Sequence, residues 1–142
     1  MKAVVDTNIL VSGLLGLYTY PARIVDLIYI SRLQCIFDDR IMQEYREVLS
    51  RPKFKNVIED KETTELLNYI AYTGIHVLAG PLARFSNSAP DPNDLPFIET
   101  AAAGMADCII TGNKNHFSFF VYNPWNIQIL SPNECYKLIC QD

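Results

Sequence analysis

Residues 4–12 read VVDTNILVS, an apolar run broken by Asp6, Thr7 and Asn8 before it resumes. A strand buried on both faces of a sheet reads as continuous Val and Ile, so the run through Val5 predicts a central strand. An acid at the end of such a strand either forms a turn or points into a site. What the rest of the chain builds around it decides between the two.

Working outward, short β-rich runs recur at 35–37, 75–78, 108–111 and 127–130, alongside 2–5. Helical spacing fills the gaps. It places Ile24, Val25, Leu27, Ile28 and Leu33 on one face over 22–33, and Ile41, Met42, Tyr45, Val48 and Leu49 over 40–49, a segment that stops before Pro52. A third helix is predicted over 61–72 with Gly74 at its end, and a fourth over 94–103. The last uses SPNECYKLI at 131–139, with Ser131 as N-cap and Pro132 in the first helical position. Strands alternating with helices imply right-handed crossovers, hence a three-layer α/β/α sandwich around a central, mostly parallel sheet. In such folds the ligand crevice lies beyond the carboxyl ends of the strands, where strand order reverses. Asp6 ends the first strand, and Thr111, Gly112 and Asn113 end the fourth.

Bulk properties narrow the function. A chain of 142 residues that is 49% hydrophobic supports one core, so a single domain over 1–142 is expected. The formal net charge of −4 excludes a protein that holds nucleic acid by general phosphate neutralisation, leaving only local contacts. No run reaches the roughly 18 apolar residues of a membrane span, and the acid at position 6 is foreign to a signal peptide, so a cytoplasmic protein is expected. Cys35, Cys108, Cys135 and Cys140 form no CxxC pair, which predicts reduced, structural thiols.

Three acids are candidates for the crevice. On the helix over 40–49, Glu44 falls at the border of the apolar stripe, beside Ile41 and Val48, whereas Glu47 lies in the solvent sector. In SAPDPNDLPFIETA, residues 88–101, Asp94 or Asn93 is a natural N-cap because Pro96 must sit in the first turn. Capping and pointing into a crevice are compatible, since a helix N-terminus stabilises a carboxylate. If the fold gathers Asp6, Glu44 and Asp94 at one edge, three carboxylates without basic partners repel unless a cation intervenes. Oxygen ligands with retained water favour Mg²⁺ or Mn²⁺ over Zn²⁺. His76 lies in a strand segment and reads as structural, while His116 follows the IITGN turn and can approach the edge.

These segments resemble the PIN domain, a family of metal-dependent nucleases, and most of all its type II toxin-antitoxin toxins. The likeness runs through VVDTNILVSGLL, IMQEYREVLSRPKF, DPNDLPFIETA and ADCIITGNKNHF, in that order. It implies an acidic pocket that binds Mg²⁺ or Mn²⁺ and hydrolyses phosphodiester bonds, commonly of RNA. Asp6 matches the family's first acid, Asn8 the polar residue that supports it, Glu44 the helix-borne glutamate, and Asp94 the acid before the phenylalanine-containing helix. Thr111 and Asn113 would help to position water or phosphate. Asn93 stands where a second adjacent acid is frequent, Asn113 where the family's TGD-type turn supplies a fourth acid, and Asn115 where another aspartate is common. Arg40, Arg46, Arg51, Lys53, Lys55 and Lys114 are candidates for steering the substrate backbone, with a single-stranded target favoured. Toxin relatives form homodimers and are silenced by a small antitoxin. Here the aromatic stretch NHFSFFVYNPW (115–125) and the loop with Tyr18 and Tyr20 serve either as interface or as core. The asparagines also fit a competing reading, a weakened or inactive PIN-fold module for binding or assembly. A receiver-like or phosphatase-like domain fits less well, because no second aspartate follows Asp6 at short spacing.

Overall fold

The computed structural model describes residues 1–141. Five strands, β1 (Lys2–Val5), β2 (Gln34–Phe37), β3 (Ile75–His76), β4 (Cys108–Ile110) and β5 (Gln128–Leu130), form one sheet in the order β3-β2-β1-β4-β5. Every pairing is parallel, with Ala3 opposite both Cys35 and Cys108. The helices are α1 (Thr7–Leu15), α2 (Tyr20–Tyr29), α3 (Asp39–Leu49), α4 (Asp60–Thr73), α5 (Leu95–Ala103) and α6 (Pro132–Ile139). Helix α2 packs on α1 and α6, α5 lies against β1, β2 and β4, and α3 and α4 meet β2. The result is the expected α/β/α sandwich, with a sheet that is wholly parallel. No helix among the described residues is long and apolar enough to cross a membrane.

Strand β1 sits at the centre of this arrangement. Ala3, Val4 and Val5 are fully buried between the layers, and the strand order reverses at the β1/β4 boundary. That boundary is where a crevice is expected. Asp6 extends the pairing by one step, its N–H donating to the Ile110 carbonyl at 2.9 Å.

Several elements differ from the sequence reading. Helix α1 begins directly after Asp6, so the resumed apolar run is a helix whose Ile9, Leu10 and Val11 are buried. Helix α2 starts earlier and ends earlier than predicted, because Thr19 caps it by accepting from Ala22 N and the chain turns back at Ser31 with φ 62°. Strand β3 stops at His76, and Leu78 is almost fully exposed. Gly74 does close α4, though with φ −79°; a Cβ there would lie 2.5 Å from the Ile70 carbonyl oxygen and 2.6 Å from that of Cys35. Glycine is needed for this close backbone approach. Ser131 caps α6 with Pro132 in its first turn, as predicted, and Glu134 completes a capping box.

Helix α3 is fixed at both ends. Asp38 accepts from Ile41 N at 2.9 Å as its N-cap. Farther along, the fully buried Tyr45 donates its hydroxyl to the Val5 carbonyl. Val5 precedes Asp6 and Tyr45 follows Glu44, so this bond brings the strand acid and the helix acid together.

Tyr45→Phe keeps the ring packing and leaves the Val5 carbonyl without this donor, so it should destabilise the fold by about 1–2 kcal/mol in urea unfolding. A variant that unfolds at the parent's midpoint would show that the bond contributes nothing.

Candidate functional site

Asp6 occupies the N-cap position of α1 with extended backbone (φ −62°, ψ 141°), yet its side chain makes no capping bond. Its main-chain carbonyl accepts from Ile9 N at 3.0 Å instead. The carboxylate is thereby left for the edge of the sheet, where Oδ2 accepts from Thr111 Oγ1 at 2.8 Å. Thr111 is fully buried, and its oxygen also accepts from Asn113 N at 3.1 Å, so the hydroxyl's orientation is set from both sides. Burial raises the Asp6 pKa above its ordinary value, and the Thr111 bond opposes that rise.

Glu44 is half-buried on α3, at the border of the apolar stripe as its helical position predicts, and Glu47 is exposed. The buried Thr7, first residue of α1, donates its hydroxyl to Glu44 Oε2. Thr7 therefore couples the turn after Asp6 to the glutamate of α3. Its importance was hidden in the sequence until the segment was seen as a helix, whose first residue lies beside Asp6.

Asp94 departs from the expected capping role. It stands in the N-cap position of α5 with helical backbone (φ −82°, ψ −17°) and makes no side-chain cap bond. A 3₁₀ turn, Pro92–Asp94, leads into the helix, and Asp91 caps that turn by accepting from Asn93 N at 2.9 Å. Asp94 Oδ2 is buried without a hydrogen-bond partner, and His116 Nδ1 stands 3.8 Å away. Burial, then the Asp6 and Asp91 charges, push the Asp94 carboxyl up to about 6; Glu44 adds to the rise and His116 opposes it. Asp6, Glu44, Asp94 and His116 thus share one electrostatic neighbourhood.

Other candidates play different parts. Asn8 is exposed on the first turn of α1, and it is Thr111 that bonds the Asp6 carboxylate. Asn113 is exposed and joins the network through its backbone N–H alone; Asn93 and Asn115 are exposed as well. Arg40 is engaged by two buried acids, bridging Asp38 and Glu99 at 2.7 Å each. Lys114 pairs with Glu134 at 2.9 Å. Arg46, Arg51, Lys53 and Lys55 remain exposed. His76 ends β3 with its Nε2 2.8 Å from Asp39 Oδ1, on the exposed side of the strand. Phe117 and Phe120 are core residues, whereas Tyr18 and Tyr122 are almost fully exposed.

Among the described residues, no group of three or more His, Cys, Asp or Glu side chains is close enough to hold a metal ion by itself. The donor set does fit an ion that keeps much of its water, since Mg²⁺ is commonly bound through one or two carboxylates. The unpartnered Asp94 oxygen is an acceptor that the protein leaves unspent. A surface groove of about 870 Å³ along the open side of β5, beside Lys114 and Tyr122, is lined by none of these acids.

Comparison with known proteins agrees with this architecture. The model of the PIN domain family matches residues 2–115. An uncharacterized protein of Methanocaldococcus jannaschii is 27% identical over 140 residues, covering 94% of this chain and 88% of that protein. No solved structure matches.

The raised carboxyl fixes the sign of a pH effect. Folded Asp94 holds its proton more tightly than the unfolded chain does, so its contribution to stability is fully present below its ordinary pKa of 3.8 and lost as pH rises through about 6. In metal-free buffer, Asp94→Asn should melt higher than the parent above about pH 7, by on the order of 2 kcal/mol, and the two should converge below about pH 4. Parallel melting curves across that range would remove the assigned strain.

Proposed function

The chain belongs to the PIN domain family, and we propose that it is a metal-dependent endoribonuclease that hydrolyses RNA phosphodiester bonds as the toxin of a toxin-antitoxin pair. The observation that carries this reading is the buried, unpartnered Oδ2 of Asp94 within the electrostatic reach of Asp6 and Glu44 at the strand-order reversal. Asp6, Glu44 and Asp94 would hold Mg²⁺ or Mn²⁺ by direct and water-mediated contacts. Such an ion, when bound, supplies Lewis acidity that acidifies water and offsets charge developing on phosphoryl oxygens.

The protein's own contribution is positional. Thr111 orients the Asp6 carboxylate and Thr7 orients Glu44, each through a neutral hydroxyl donor. Asp94, with its pKa near 6, is ionised in most molecules at neutral pH and so presents a charged acceptor. The exposed Arg46, Arg51, Lys53 and Lys55, on the later part of α3 and the turn after it, offer a local basic strip for an RNA backbone. A single strand suits this small contact. In a toxin role the exposed Leu17 and Tyr18 would serve contacts with a second copy or with an antitoxin, as aromatic surface side chains commonly do.

A second reading, a weakened or inactive PIN-fold module for binding or assembly, is favoured by Asn113. Its exposed side chain takes no part in the network and brings no fourth charge.

The deciding experiment incubates structured and unstructured RNA with the purified protein and Mn²⁺, with and without chelator, beside an Asp6→Asn, Asp94→Asn double variant. Cleavage should require Mn²⁺, be lost in the double variant, and fall by about 10- to 100-fold in Thr7→Val, the usual cost of losing a residue that orients a ligand. Cleavage that survives chelation or the double substitution would refute the nuclease assignment. Inactivity of all samples, including an Asn113→Asp variant, would favour the binding module.

A further inference from the structure

At the opposite end of the sheet three sulfur atoms meet. Met1 precedes β1, and its carbonyl accepts from Gln34 N at 2.9 Å, which sets its position next to the sheet. Cys108 opens β4, paired in register with Ala3, and Cys135 comes from α6. Met1 Sδ lies 3.9 Å from Cys108 Sγ and 3.9 Å from Cys135 Sγ. The two thiols also contact each other, and both cysteines are fully buried and free of any disulfide. No part of the nuclease reading uses them.

Two thiols in contact need no third sulfur for packing alone, and a thioether placed at equal distance from both makes a soft donor triangle. We propose that Met1, Cys108 and Cys135 form a binding site for a soft monovalent cation, Cu(I), coordinated by three sulfurs. Soft thiolate and thioether ligands select Cu(I), Zn²⁺ or iron–sulfur clusters, and the clusters are held by more cysteines than the two present here. Zn²⁺ is disfavoured because it takes four ligands in structural sites, and this triangle offers three. The spacing agrees with the chemistry. A metal–thiolate bond of about 2.3 Å sets three sulfurs in a trigonal plane about 4.0 Å apart, close to the separations from Met1.

A route to the site exists on the same face. Met1 is partly exposed and, together with Met105 and Trp125, lines a surface groove of about 650 Å³. Met105 is largely exposed and provides a second thioether at the mouth. Binding releases one proton from each thiol that becomes a ligand, so affinity rises with pH. The exposed Cys140, farther along the chain, stands outside the triangle and serves as a control.

The test titrates the full-length protein with Cu(I) under anaerobic conditions against a chromogenic Cu(I) chelator. One equivalent should be withheld from the chelator by the parent and by Cys140→Ser, and the apparent affinity should fall at least tenfold in Cys135→Ser. X-ray absorption of the copper-loaded parent should show a first shell of three sulfurs at about 2.3 Å, which requires no variant to fold. Equal retention by Cys135→Ser, loss confined to Cys140→Ser, or a first shell of nitrogen and oxygen would overturn the proposal. Ribonuclease activity measured with Mn²⁺ is a separate readout, so either assignment can fail without the other.

Discussion

The hydroxyl of Tyr45 donates to the carbonyl of Val5 inside a core that excludes water, and the position of the acidic edge depends on it. Strand β1 is fixed by neighbours on both sides, whereas α3 belongs to the crossover between β2 and β3. The Tyr45 bond ties that helix to the carboxyl end of β1. Neither partner has water as an alternative, so the bond specifies where α3 sits as well as adding stability. Because Glu44 and Asp6 are the adjacent residues in sequence, fixing Tyr45 on Val5 fixes the acids too.

Bringing carboxylates together has a cost that shows in their protonation. Asp6 and Asp94 are both raised, chiefly by burial, and Asp94 also by the charge of Asp6. The two supporting threonines lessen this cost without adding positive charge. Thr111 donates to Asp6 and Thr7 to Glu44, so each acid has a neutral donor, while Asp94 has none within bonding distance. A basic residue would pair with the acids and occupy them, as Arg40 does with Asp38 and Glu99 only a few residues away. Neutral donors orient the carboxylates without pairing their charge.

How much of this was legible in the sequence depended on whether a residue's role followed from its own segment. The strand ending at Val5, the border position of Glu44 and the N-cap at Ser131 are local properties of period and capping, and they appear where predicted. Helix α1 was hidden because its residues, NILV, are as apolar as a strand and it follows β1 without a linker. Its marker was Gly13, where a Cβ would lie 2.8 Å from the Pro21 carbonyl oxygen, so that glycine permits α1 to pack on α2. Asp94 looked like a cap because Pro96 demands a helix start, but Asp91 takes that work one turn earlier. Thr7, Thr111 and the Met1–Cys108–Cys135 triangle are pairings between distant segments, and only the sheet register brings them together.

The asparagine at 113 follows from the same electrostatics. A carboxylate at that turn would stand beside Thr111, which already orients Asp6, and would enter a neighbourhood where Asp94 is raised to about 6. A further negative charge would lift Asp94 again, and the metal-free protein would lose stability at neutral pH. An amide keeps a carbonyl oxygen for water or phosphate and avoids that penalty. Under the proposed metal-dependent reading the exchange has a consequence for the cation: with less negative charge, the edge would hold a divalent ion more weakly and a second ion more weakly still. On that reading Asn113 would shift the balance from cation affinity toward stability without the cation, and the unpartnered oxygen of Asp94 would be the group on which cation binding most depends.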